Sequence, residues 1–272
     1  MNKLTYMFIG AHPDDADIHF GGTTILLREL GHDIVYVSVT DGSAGHQTMS
    51  RKELAERRYT ETQKVAERLG IKYVVMDTPD GELVADLDAR HKLIKVIREH
   101  KPDVIISPRP NDYHPDHRAT GQLVQDCSFL LTVPLVCPDT PRLERNPYIF
   151  YHQDGFTKPT ELRPDILVDI SSVIDKKMQN IALHESQIFE WLPFINQFAD
   201  ETPKPTDDYV DWMKRHWGNP GRSSRFTTRH DDPKTNYLEV LECCEYGSKI
   251  TPDIAKQLFP SATINFSEVG GK

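Results

Sequence analysis

The stretch LTYMFIGAHPDD, residues 4–15, decides how this chain folds. Its first seven residues form an apolar run rich in Tyr, Phe and Ile, which reads as a buried strand. The next five, Ala11-His12-Pro13-Asp14-Asp15, gather an imidazole and two carboxylates around a proline. A second apolar run at 104–107 precedes a similar cluster, His114-Pro115-Asp116-His117.

Between and around these runs the chain keeps alternating. Residues 6–9, 34–39, 73–76 and 104–106 read as strands, while 18–30, 51–69 and 88–100 carry apolar residues at helical spacing. Gly31, Gly70 and Lys101-Pro102 mark the helix stops. Strands alternating with helices of this length imply βαβ units and a parallel sheet covered on both faces, an α/β fold. Ligands in such sheets bind beyond the carboxyl ends of the strands, at a topological switch point. Both clusters follow strand ends, so motif position and fold logic agree. Past Thr120 the pattern loosens. A helix from Pro115 reaches about Leu131, prolines 134, 138, 141 and 147 mark an irregular connection, 148–151 and 166–170 read as strands, and 174–189 as one long helix. No linker splits the chain: residues 1–190 are expected to form the core, with 191–272 an extension packed on it as part of the same domain.

Composition narrows the classes. A net charge of −9 and a pI near 5.7 argue against a nucleic-acid footprint. The run from Met1 to Gly10 leads straight into the first cluster, with no h-region of a signal peptide, and no stretch reaches the length of a membrane span. Cys127, Cys137, Cys243 and Cys244 form no C-x-x-C pair and read as reduced thiols, so the expected location is cytoplasmic. No G-x-G-x-x-G or P-loop pattern points to a nucleotide.

The clusters have the makings of a catalytic metal site, which wants histidines and a carboxylate with one position left open. Pro13 turns the chain so that His12 and Asp15 can converge, with Asp14 aimed beside the metal. Pro115 suits the first position of a helix, making His114 its N-cap and placing His117 in the first turn. One of these histidines can ligate while the other faces the substrate. Asp116 is a candidate to hold an imidazole in the needed tautomer.

AHPDD followed by Gly21-Gly22, Thr40-Asp41-Gly42 and HPDH together resemble the PIG-L, or LmbE-like, family of zinc-dependent N-deacetylases. Arg58 with Glu61, Pro164-Asp165-Ile166, Lys176-Lys177, His184-Glu185-Ser186-Gln187 and Tyr237-Leu238-Glu239 extend the match. The resemblance implies a Rossmann-like three-layer fold with a mostly parallel sheet and an irregular C-terminal extension. It implies His12, Asp15 and His117 as zinc ligands, other divalent ions being acceptable to the same donors. Asp14 would be the general base, His114 the group steadying an oxyanion, and Arg58 a substrate contact. The family usually has glutamate after AHPDD, whereas here Ala16-Asp17 follows, which blurs the substrate branch.

The expected function is hydrolysis of the acetamide of an N-acetyl amino sugar, an N-acetylglucosamine conjugate, releasing acetate and a free amine. Hydrolysis of another amide, or carbohydrate binding without chemistry, are the alternatives. The expected partner is a small amino-sugar molecule, with neither nucleic acid nor membrane insertion. The basic aromatic segment 214–230, with Trp217, Arg222, Arg225, Phe226 and Arg229, suits either sugar stacking or a homo-oligomer interface. Asp41 is expected to cap the helix or shape its loop rather than touch metal, and His184, Ser186 and Gln187 to form a structural polar network.

Overall fold

The computed structural model describes residues 3–218 and 237–266. Its centre is one eight-stranded sheet in the order β3-β2-β1-β4-β5-β7-β6-β8. The strands are β1 (Thr5–Gly10), β2 (Asp33–Thr40), β3 (Lys72–Thr78), β4 (Val104–Ser107), β5 (Tyr148–His152), β6 (Ile166–Asp169), β7 (Leu238–Cys243) and β8 (Thr263–Ile264). β3, β2, β1, β4 and β5 run parallel, whereas β7 is antiparallel to both β5 and β6.

The continuous apolar runs make sense because both faces of the sheet are covered. In β1, Tyr6 and Phe8 enter one core and Met7 and Ile9 the other, all fully buried. One face packs α1 (Asp15–Glu29), α2 (Arg51–Leu69) and α5 (Ile174–Ile181). The other packs α3 (Leu87–His100) and α4 (Pro115–Leu130). Short helices α6 (Leu192–Ile195), α7 (Val210–Trp217) and α8 (Pro252–Leu258) follow. Among the described residues no helix is long and apolar enough to cross a membrane. The four cysteines are buried and unpaired.

The order turns back at β1: β2 lies on one side of it and β4 on the other. The loops leaving the carboxyl ends of β1 and β4 therefore open at the switch point, and they carry the two histidine clusters.

The long helix expected over 174–189 is two pieces. α5 ends at Ile181 and a π-helix spans Ser186–Trp191. Side chains cause the break. His184 Nε2 turns to Asp17 at 2.9 Å, and Glu61 takes the Ser186 amide at 2.9 Å and its hydroxyl at 2.7 Å. Between them, the Leu183 and His184 amides close tight turns onto Asn180 and Ile181. The chain beyond Glu190 also supplies β7 to the sheet interior, between β5 and β6. Most of the basic aromatic segment lies outside the described residues; Trp217, within them, is buried against Trp212 and Phe198.

Candidate active site

Asp15 opens α1 and folds back onto the end of β1. Its Oδ2 accepts the amides of Ala11 at 2.8 Å and His12 at 2.9 Å. This return needs Gly10, since a Cβ there would sit 2.7 Å from Asp15 Cβ and 3.0 Å from Oδ2. The same oxygen lies 3.9 Å from His12 Nδ1 and 3.6 Å from His117 Nε2. Those two nitrogens are themselves 3.1 Å apart.

The far nitrogens settle what the near ones are. His12 Nε2 faces Asp80 Oδ1 at 3.1 Å and Asp116 Oδ2 at 3.4 Å, while His117 Nδ1 faces Asp112 Oδ2 at 3.2 Å. Carboxylates call for N–H on those sides, which leaves lone pairs on His12 Nδ1 and His117 Nε2 pointing at each other. Two lone pairs and a carboxylate oxygen at that separation repel unless a cation or proton lies between them. Donors about 2.0–2.1 Å from a tetrahedral ion stand roughly 3.3 Å from one another, close to the triangle seen here. The residues fit a divalent metal. Donor atoms of His12, His114 and His117, and of His12, Asp80 and Asp116, also come within 4.8 Å of one another. Asp15 is distinguished by the two amides that aim its oxygen at both imidazoles.

Burial alone would lower the pKa of His12, but Asp116, Asp80 and Asp15 outweigh it and hold it up to about 10. Burial works against a charged His117 in the same way, and Asp15 with Asp112 raises it above the ordinary range. Burial would raise the carboxyls of Asp15 and Asp80, yet the facing imidazoles hold both well below their usual values.

His114 caps α4, with Nδ1 accepting the Asp116 amide at 3.2 Å. Nε2 must then carry the hydrogen, so the neutral ring is a donor. Burial and the neighbouring His12 and His117 lower its pKa. Asp14 Oδ1 lies 2.9 Å from Arg58 Nη2. Arg58 borders the pocket but is 2% exposed, and its guanidinium also donates to Pro13 O at 3.0 Å and Gly42 O at 3.4 Å. Asp116 is anchored by the amides of Gly81 and Leu83. His12, Asp14, Asp15, Arg58, His114 and His117 thus share one pocket, with Asp116 behind His12.

Two carboxylates here went unremarked in the sequence. Asp80 stands in Pro79-Asp80-Gly81 just after β3, and Asp112 precedes Tyr113-His114. An acid on a loop beyond a parallel strand was the available signal. Asp41 shapes its loop as expected, accepting the amides of Ser43 and Asp80.

Residues 7–128 match the family described as GlcNAc-PI de-N-acetylase, PIG-L. A diacetylchitobiose deacetylase of Thermococcus kodakarensis is 32% identical over 209 residues, which are 70% of this chain and 74% of that one. This chain belongs to the PIG-L family. The relatives do not share one named activity: a 4-oxalmesaconate hydratase of Pseudomonas putida is 26% identical over 193 residues, 68% of this chain and 74% of that one. In fold, this PIG-L protein is similar to the N,N'-diacetylchitobiose deacetylase of Pyrococcus horikoshii, with a TM-score of 0.67 at 24% identity over 89% of this chain and 84% of the other.

Proposed function

We propose that this protein is a metal-dependent N-deacetylase that removes the acetyl group from an N-acetylglucosamine conjugate, giving acetate and a free amine. The observation that carries this is the convergence of His12 Nδ1, His117 Nε2 and Asp15 Oδ2 on one point beside Asp14. Family membership and the deacetylase relative support it.

His12, Asp15 and His117 would hold the ion, and we assign zinc, for which two imidazoles and a carboxylate make a catalytic donor set. Once bound, it would supply Lewis acidity at the acetamide. Asp14 takes a proton from the attacking water and returns it to the departing nitrogen. Arg58 holds the Asp14 carboxylate in place through Nη2, and its position on the pocket lining supports the substrate contact expected from the sequence. The His114 Nε2–H donates to the carbonyl oxygen as negative charge builds on it. Asp80 and Asp116 keep His12 in its ligating tautomer, and Asp112 does the same for His117. We place the protein in the cytoplasm, which four buried, unpaired thiols support.

The hydratase relative gives a second reading, addition of water to an unsaturated tricarboxylate such as 4-oxalmesaconate. A single experiment separates the two. Zinc-reconstituted protein is given a panel of N-acetylated sugars and, in parallel, 4-oxalmesaconate. Acetate release from the sugars supports the deacetylase reading; hydration without acetate release replaces it.

A further inference from the structure

The pocket holding the histidine cluster measures about 310 Å³. That is the low end of the ~300–1,000 Å³ found for small-molecule sites. It accommodates one sugar ring with its acetamide, so a second ring must lie at the mouth. Two aromatic residues border the pocket there: Tyr113, 75% exposed beside His114, and the half-buried Trp191, the last residue of the π-helix.

Neighbouring side chains hold the turn that carries Trp191. The π-helix that carries it is tied at three points: Ser186 to Glu61, Gln187 Nε2 to Gly45 O at 3.0 Å, and Glu190 to His46 at 2.8 Å and to Arg57 Nη1 at 2.9 Å. Phe194 backs the indole, its ring 5.9 Å away and tilted by 30°. On the indole's edge lies Gly45, where a Cβ would stand 3.1 Å from Trp191 Nε1. π-Helical turns gather at functional sites, and this one sets an indole on the lining of the pocket, between Gly45 and Phe194. A rigid indole is the preferred platform for the apolar face of a pyranose, because it offers a large surface at little conformational cost.

The geometry points to Trp191 as a specificity-determining residue: it forms a second subsite, on which the sugar ring attached to the deacetylated unit stacks, so the enzyme prefers a disaccharide over free N-acetylglucosamine. This rests on the deacetylase reading above.

The test compares kcat/KM for N,N'-diacetylchitobiose and N-acetylglucosamine in the zinc-loaded wild type, Trp191→Ala and Trp191→Phe. Wild type should favour the disaccharide. Trp191→Ala should cut the disaccharide-to-monosaccharide ratio about five- to tenfold, the scale of one lost aromatic contact, and Trp191→Phe should keep most of it. Calorimetric titration of both sugars into an Asp14→Asn background, with and without Trp191→Ala, should show the same loss without turnover. A ratio that Trp191→Ala leaves unmoved while acetate is still released overturns this subsite and leaves the deacetylase reading standing. A wild-type enzyme that releases acetate from neither sugar removes the deacetylase reading and this subsite with it.

Discussion

Asp14 and Asp15 are adjacent in sequence yet meet different partners, Arg58 and the amides of Ala11 and His12, and mutagenesis can separate the roles proposed for them. Asp14→Asn keeps the shape and its contact with Arg58 but cannot take a proton. It should retain metal while kcat falls by about 10²–10⁴. Metal content by atomic absorption beside the turnover number checks this, and normal turnover would remove Asp14 from the chemistry. His117→Ala should lose most of the metal. His114→Ala should keep it and lose about 10²–10³ in kcat, the scale for one missing oxyanion donor. Reversed metal contents in the two variants would exchange their roles. Because His114 stays a donor when neutral, and its pKa is lowered rather than raised, its titration should leave no alkaline limb in the rate profile. Gly10→Ala is a subtler probe, since the added methyl pushes on the Asp15 carboxylate without touching its charge. Weaker metal binding with an intact fold is the expected result, read by chelator competition and circular dichroism. The raised pKa values of His12 and His117 give a further sign. Those shifts predict a proton held between the imidazoles of the metal-free site at neutral pH, which an incoming metal would have to displace. Affinity should therefore climb as pH rises, by about one log unit per pH unit for each proton released. A flat chelator titration from pH 6 to 9 would show the imidazoles already neutral. The sequence disclosed this cluster because H-P-D-D and H-P-D-H each concentrate several donors in one short loop. Asp80 and Asp112 stayed hidden because each is a lone acid whose meaning depends on which imidazole the fold sets opposite it.

At the level of elements, β1, β2 and β4 were legible because a strand buried on both faces is apolar almost without interruption, the half-buried edge strand β3 showed itself by the short run Tyr73–Met76, and glycines or Lys101-Pro102 punctuated the helices between. α5 and the π-helix were not. Residues 174–189 keep a helical apolar period, and nothing local in them reveals that Asp17 and Glu61, from distant helices, claim His184 and Ser186. Those two contacts should carry measurable stability. Glu61→Ala strands the buried Ser186 amide and hydroxyl, at a cost of roughly 1–3 kcal/mol for a lost buried partner. Urea denaturation would show it as a lower midpoint. An unchanged midpoint would mean that the π-helix holds its own shape.

Across the whole molecule, one buried ion pair joins three parts of the chain. Lys177 Nζ on α5 lies 2.8 Å from Glu239 Oε1 on β7, both side chains fully buried. Lys177 also donates to Ile18 O, and Glu239 accepts the amides of Gly22 and Thr23, so the pair is built into α1, the helix that begins at Asp15. Breaking such a pair by removing one partner costs about 3–5 kcal/mol, so Glu239→Leu should unfold at markedly lower denaturant. The double variant with Lys177→Met should recover only part of that, because two helix amides have still lost their acceptor. Full recovery would reduce the contact to charge balance.

β7 has a consequence for how this protein is made. A ribosome synthesising from the N-terminus releases every candidate metal ligand by residue 117, but β5 and β6 cannot be bridged until residues 238–243 emerge. At about 5–20 residues per second, the chain spends several seconds carrying its candidate metal donors on a sheet that still lacks one of its interior strands. Glu239 of that strand holds Lys177 and two amides of α1, so a chain cut short after α5 is expected to carry the whole candidate donor set on an unsupported α1 and to bind metal more weakly in chelator competition.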